Sequence, residues 1–300
     1  MAKVLVVGSI NMDLVAQVGQ YPRLGETLLG SHFATYHGGK GANQAVAAAR
    51  LGAQVTMLGR VGDDAFGQQL LAGLQAEGVD TRWVLPTANS ASGIALITLA
   101  GSDNAIIVVP GANALLTPAD IVAAEAEFAA ADVIVAQLET PLATIEQVAA
   151  LASKWGKPLL LNPAPAQPLS AELLAQVSLL TPNEFELGVV FERPEAEWQA
   201  VLASQPGRIL MTAGAAGAWF TTPEGKLQQQ TSFPVETVDT TGAGDTFNGA
   251  LAAFWAQGLP AAARLACAAA ALSVTRAGAQ GGMPTLAQLQ AFLAAQGGAA

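Results

Sequence analysis

The sequence contains one cysteine, Cys267, among 300 residues. That excludes an internal disulfide and any metal site built from several thiolates. Basic residues are scarce: 13 Lys and Arg stand against 23 Asp and Glu, 13 − 23 = −10, with a sequence pI near 4.6. A basic footprint for neutralising nucleic-acid phosphates is missing, which argues against nucleic acid as a partner. The two histidines, His32 and His37, lack metal-ligand spacing with other candidates. Long apolar runs are also lacking. Leu265–Val274, bracketed by Arg264 and Arg276, is about half of the roughly 20 residues a membrane span needs. The run Val4–Val7 behind Lys3 is too short for a signal-peptide core, and no export or lipidation signal is visible. The expectation is a soluble cytoplasmic protein with no membrane partner.

What is present is a chain with 52 % hydrophobic and only 12 % charged residues, enough to bury a large core. Val4–Val7, ended by Gly8-Ser9, reads as a buried strand. A helix is expected over about 41–51, a strand over 55–58 and a helix over 66–77. After Pro118 the rhythm becomes regular: helix 119–130, strand 132–136, helix 142–155, strand 158–161, helix 170–177, strand 178–181, helix 183–191. A strand at 209–211, a hairpin around Pro223–Gly225 and helices 246–256, 260–274 and 285–295 follow. Alternating strands and helices predict a parallel sheet covered on both faces. Two β-rich patches break that rhythm. One lies near 12–37, with strand-like Thr27-Leu28-Leu29 and Phe33-Ala34-Thr35-Tyr36. The other, 93–109, reads as a hairpin turning at Gly101-Ser102-Asp103-Asn104. Together they predict a small lid sheet on an α/β body, with no linker that would split the chain.

Three segments carry chemistry. Asp239-Thr240-Thr241-Gly242-Ala243-Gly244-Asp245 follows a strand-like stretch, Phe233–Val238, and opens a helix. Its glycines allow close backbone approach, and the helix start adds partial positive charge, so the loop suits an anion. An aspartate there would repel a phosphate unless Asp245 takes a proton from a hydroxyl attacking the transferred group. The plain alternative is Asp245 as a helix N-cap. Gly38-Gly39-Lys40-Gly41-Ala42-Asn43 is a second glycine-rich helix start, with donors suited to sugar hydroxyls or simply a turn. It lacks the Walker A order. Gly8-Ser9-Ile10-Asn11-Met12-Asp13 follows the first strand, where ligands of α/β sheets sit, or forms an Asx-type turn.

Together these motifs resemble the ribokinase-like carbohydrate kinases, the PfkB-type sugar kinases. Gly39–Asn43 stands where that family has its N-terminal signature, and Asp239–Asp245 resembles the C-terminal one. Val61–Gly67, Gln137-Leu138-Glu139, Leu161–Pro165, Thr181-Pro182-Asn183-Glu184 and Thr246–Ala250 extend the likeness over essentially the whole chain. The resemblance implies a three-layer α/β/α fold, one domain over 1–300 with a mostly parallel central sheet and a β lid from about 12–37 and 93–109. It also implies transfer of phosphate from ATP to the 5-hydroxyl of D-ribose. Asp245 would be the base, and Gly242, Ala243 and Gly244 the anion hole. Asn11, Asp13, Gly39, Lys40, Gly41, Ala42, Asn43 and Glu139 would contact the sugar. For the nucleotide it implies Asn183, Thr212, Ala213, Gly214, Ala215, Ala216, Gly217, Gly244 and Cys267. Asn183 equally suits a helix N-cap, and Cys267 a small buried hydrophobe.

Glu186 would help hold Mg2+ through water. Asp239, Thr241, Ser273, Arg276, Gly278 and Gly282 would surround K+, mostly through carbonyls. Gly282 replaces a serine frequent in the family, and Leu187–Glu192 lacks its usual Thr-Gly turn. The partners implied are ribose, ATP and a second copy packed through the lid. Two other readings stay open: a kinase for deoxyribose, another small sugar or a nucleoside, and a non-catalytic sugar sensor on the same fold.

Overall fold

The computed structural model describes residues 1–101 and 103–297; Ser102, in the expected 101–104 turn, lies outside the described residues. The strands, in order, are β1 (Lys3–Val7), β2 (Asn11–Val18), β3 (His32–Gly38), β4 (Gln54–Gly62), β5 (Asp80–Thr87), β6 (Gly93–Ala100) and β7 (Asp103–Val109). They continue as β8 (Val133–Gln137), β9 (Leu159–Asn162), β10 (Leu179–Leu180), β11 (Leu210–Thr212), β12 (Ala218–Thr221) and β13 (Leu227–Gln230). Six of them form a wholly parallel sheet in the order β10-β9-β8-β1-β4-β5. Parallel bridges Leu180↔Ile209 and Asn183↔Thr212 carry it on to the antiparallel sheet β11-β12-β13.

The apolar run of β1 fits a strand buried on both faces. Val4 and Val6 join the core cluster that holds the helices Lys40–Arg50, Ala243–Ala253 and Leu259–Ser273. Leu5 and Val7 join the opposite cluster, with Phe128, Ile145 and Val148. Side-chain alternation along one strand thus builds both interlayer cores. The lid sheet runs β3-β2-β6-β7, with β2 parallel to β6 and antiparallel to β3. Register pairs Asn11 with Gly38 and Gly93, and Asp13 with Tyr36 and Ala95. The lid therefore grows directly out of the segment that carries Asn11 and Asp13.

Several sequence expectations need correction. Thr27-Leu28-Leu29 is not a strand; Leu29 is almost fully exposed and has no partner face to bury. The lid strand is instead Asn11–Val18. The helix expected over 119–130 breaks at Ala124 into Pro118–Ala123 and Glu125–Ala130. Phe233–Val238 is irregular, and the last motif's helix starts at Ala243 rather than 246. β5 is an edge strand that the sequence reading missed. Among the described residues no helix is long and apolar enough to cross a membrane.

Candidate active site

The helices Lys40–Arg50 and Ala243–Ala253 cross beside the central sheet and set the site. Their contact depends on Gly249, where an added Cβ would lie 2.6 Å from that of Ala47. Close approach brings the first turns of both helices together. Asp245 occupies the third helical position, only 8 % exposed. The cap position belongs to Gly242, whose φ of 76° is left-handed and disfavours any residue with a Cβ. The reading of Asp245 as N-cap is therefore overturned. Its oxygens face side-chain amides instead: Asn43 Nδ2 donates to Oδ2 at 2.9 Å and Gln44 Nε2 to Oδ1 at 3.0 Å.

The remaining polar groups of the two N-terminal motifs are tied to Glu139 and Asn113. Gly39 caps the helix that begins at Lys40. Ser9 Oγ donates to Glu139 Oε2 at 2.5 Å, and the Lys40 N–H reaches the same oxygen at 3.3 Å. Asn11 Oδ1 accepts from Asn113 Nδ2 at 2.7 Å, so its own NH2 group is the part left for a ligand. Gly41 and Ala42 are packed under Ser9; the Ala42 N–H donates to the Ser9 carbonyl at 2.9 Å.

Charge is concentrated here. Burial, then the nearby Glu139 and Asp245 carboxylates, pushes Asp13 up to about 7. Burial also raises Asp245, opposed by the Lys40 ammonium and the two amide donors and reinforced by Glu139. Burial alone would lower Lys40, yet Asp245, Glu139 and Glu186 together hold it above its ordinary value. A half-buried cation thus stands among three carboxylates from separate segments. Such an arrangement suits hydroxyl groups, which donate to the carboxylates.

A cavity of about 580 Å³ begins at Ala243 and Gly244. Thr212, Gly214, Ala215 and Gly217 form one wall, Cys267, Ala270 and Ala271 another. Ala213 and Ala216 shape the same loop through the bond of the Ala216 N–H to the Ala213 carbonyl at 2.9 Å. Phe233, Pro234, Val235 and Thr237, read from the sequence only as part of a strand-like stretch, line the cavity as well. Burial pushes the Cys267 thiol up to about 12, so it stays neutral at this wall. Asn183 does cap the helix Glu184–Phe191, accepting from the Glu186 N–H at 2.8 Å, while Glu186 Oε2 accepts from the Asn183 N–H at 2.9 Å. Asn183 is also bridged to Thr212, which places this capping box beside the cavity. Burial raises Glu186, and Lys40 and Asp245 are close enough to act on it.

The segments expected around a monovalent cation also meet. Asp239 Oδ1 accepts from the Thr241 N–H at 2.9 Å and Oδ2 from the Gly278 N–H at 2.8 Å. The Gly282 N–H donates to the Gly278 carbonyl at 3.1 Å, and a Cβ on Gly282 would collide with the Ser273 carbonyl oxygen. Arg276 is exposed, so a role there rests on its backbone.

Sequence reasoning missed Gln44, Asn113 and Gln280. Gln44 and Asn113 are fully buried amides, and a fully buried amide in an Ala- and Val-rich helix such as Gln44 was the available signal.

The sequence profile of the pfkB family of carbohydrate kinases matches residues 1–286. The ribokinase of Bacillus subtilis is 46 % identical over 295 residues, spanning 98 % of this chain and 100 % of that protein. The deoxyribokinase of Salmonella typhi is 36 % identical, spanning 97 % and 98 %. Among solved structures, Arabidopsis thaliana ribokinase complexed with ribose and ATP superposes with a TM-score of 0.87 at 32 % identity, over 97 % of this chain and 98 % of that one.

Proposed function

The chain belongs to the pfkB family of carbohydrate kinases, and from that premise we propose that it phosphorylates D-ribose at the 5-hydroxyl with ATP. One observation carries the assignment. Asp245 lies between the hydroxyl-binding cluster of Asn11, Asp13, Lys40, Asn43 and Glu139 and the cavity that starts at Gly244. Sugar and nucleotide would meet at its carboxylate.

The chemistry follows from this placement. The vicinal diol of the sugar presents two adjacent donors, which one carboxylate, Asp13, can accept. Asn11 Nδ2, Asn43 and Glu139 complete the pocket. The 5-hydroxyl then points at Asp245, whose basicity is raised by burial, and its proton passes there as the oxygen attacks the terminal phosphorus. Charge growing on the transferred group meets the start of the helix Ala243–Ala253. The Ala243 N–H turns back to the Thr240 carbonyl at 3.2 Å, so the Gly242 and Gly244 N–H groups carry more of the anion hole. Lys40, next to Asp245 and Glu186, adds positive charge on the same side. The nucleotide occupies the cavity, with Asn183 toward its phosphates and Cys267 along its base.

Glu186 fits magnesium held mainly by phosphates and water: one carboxylate oxygen is tied to Asn183, and the described residues contain no cluster of three or more metal-ligating side chains. The loops at Asp239–Thr241 and Ser273–Gly282 bring backbone carbonyls beside the Asp239 carboxylate, oxygen donors of the kind that suit potassium. Bound there, the two cations would supply charge neutralisation for phosphate and stiffness for the Gly242–Gly244 loop. We further propose a homodimer through the lid. Phe33, Leu96 and Ile107 share one face of the lid by register and are 63 %, 40 % and 63 % exposed, an apolar surface that a second copy would cover.

ADP formation over a panel of sugars with Mg-ATP tests the assignment. Ribose should give the highest kcat/KM, and 2-deoxyribose should trail by orders of magnitude, because it strands a polar group in the pocket. Equal efficiency would move the chain to the deoxyribokinase reading. Asp245→Asn should abolish turnover and spare ribose binding; retained turnover removes Asp245 as base and reopens the sensor reading.

A further inference from the structure

Each amide that faces Asp245 has a second amide behind it. Gln44 Oε1 accepts from Gln137 Nε2 at 2.7 Å, which fixes the Gln44 side chain with its NH2 toward Asp245 Oδ1. The other hydrogen of that NH2 reaches Asn162 Oδ1 at 3.2 Å. Asn162 is itself oriented, because its Nδ2 donates to the Thr181 carbonyl at 3.2 Å. On the opposite side Asn43 Oδ1 accepts from Gln280 Nε2 at 3.0 Å, which fixes the Asn43 NH2 toward Asp245 Oδ2. Gln280 is held in turn by its own backbone: Arg50 Nη1 donates to its carbonyl at 2.5 Å and to that of Met283 at 3.0 Å. Gln44 is fully buried, and turning its amide over would set its oxygen against those of Asp245 and Asn162.

We propose that Gln44 and Gln280 are positioning residues that lock the donors around Asp245 and keep its carboxylate an acceptor on both oxygens, aimed at the incoming hydroxyl. The inference deepens the reading of Asp245 as base and rests on it. A carboxylate receiving one fixed N–H on each oxygen favours its ionised form, which counters the burial around it. The charged groups that also face Asp245 are Lys40, which favours ionisation, and Glu139, Asp13 and Glu186, which oppose it. Without the amides that balance shifts toward the proton. The rotation of the carboxylate is released at the same time, and the reacting oxygen is no longer placed.

Gln44→Met keeps length and volume and removes the donor. It should lower kcat roughly 10- to 100-fold, the range expected for one hydrogen bond to a charged group. Ribose KM should stay within about threefold, since Gln44 lies outside the sugar contacts. The acid limb of the kcat–pH profile should move up by about one unit. Gln280→Leu, at one remove and partly exposed, should move the limb the same way by less. A folded Gln44→Met enzyme with an unmoved limb and unchanged kcat overturns the proposal. If that variant does not fold, an unmoved limb in Gln280→Leu overturns it. Asp245→Asn, run alongside, separates the two ideas: if it stays active the base assignment fails, and if it is dead while both amide variants behave normally only the relay fails.

Discussion

Replacing Asp13 by Asn should stabilise the protein while destroying its grip on ribose, and the gain should depend on pH. The folded-state value of Asp13, about 7, lies above its ordinary 3.8, with burial the main cause and Glu139 and Asp245 next. Between those two values the native state keeps a proton that the unfolded chain has released. Stability therefore falls as pH rises from about 4 to about 7 and is level above that. A displacement of this size corresponds to a penalty of roughly 4 kcal/mol once Asp13 is ionised, at about 1.4 kcal/mol per pH unit. The amide introduced by Asp13→Asn cannot ionise, so the variant escapes it. The assay is denaturant unfolding of both proteins at pH 5 and pH 8. About 1.7 of the roughly 4 kcal/mol is already in place at pH 5, so the variant's advantage should grow by about 2–3 kcal/mol between pH 5 and pH 8. In parallel, ribose affinity of the parent should weaken as pH drops below 7. A stability difference that is the same at both pH values would refute the reasoning.

Gly242→Ala should cost about 1–3 kcal/mol of stability from its left-handed backbone, because the new Cβ also meets Ala279 Cα at 2.9 Å, and kcat should fall with it; thermal melts and initial rates check both. Ile107→Glu puts charge on the exposed lid face, and the mass in sedimentation equilibrium should drop from dimer to monomer. Exchanging potassium for tetramethylammonium at constant ionic strength should slow ADP formation; equal rates would remove the cation from the Asp239–Gly282 loops.

The parts of the fold legible in the sequence are those where one physical signal dominates. β1, β8 and β9 are apolar apart from one terminal residue each, Lys3, Gln137 and Asn162, because both faces are covered, and their helices follow at regular intervals. β5 escaped because Asp80, Arg82 and Pro86 interrupt it, as befits an edge with one side open to solvent. Thr27–Leu29 misled for the opposite reason: Leu29 faces water instead of a packed layer. In the site, Asp245 and Asn43 stood out through glycine-rich helix starts, and Asp13 through its place just after the first strand. Gln44 and Gln280 did not, since an amide's value here comes from what stands behind it, and that partner lies far away along the chain. Asn113 is of the same kind: it ties Ile10 and Asn11 from a turn about a hundred residues later.

The bond from Asn43 to Asp245 joins residues 202 positions apart, and that from Gln280 to Asn43 spans 237. Nothing shorter than nearly the whole chain can therefore assemble the reacting centre, and closing so large a loop comes late in folding. Regain of enzyme activity after dilution from denaturant should trail the return of helical signal, so that the kinase acts as a reporter of its own final docking step.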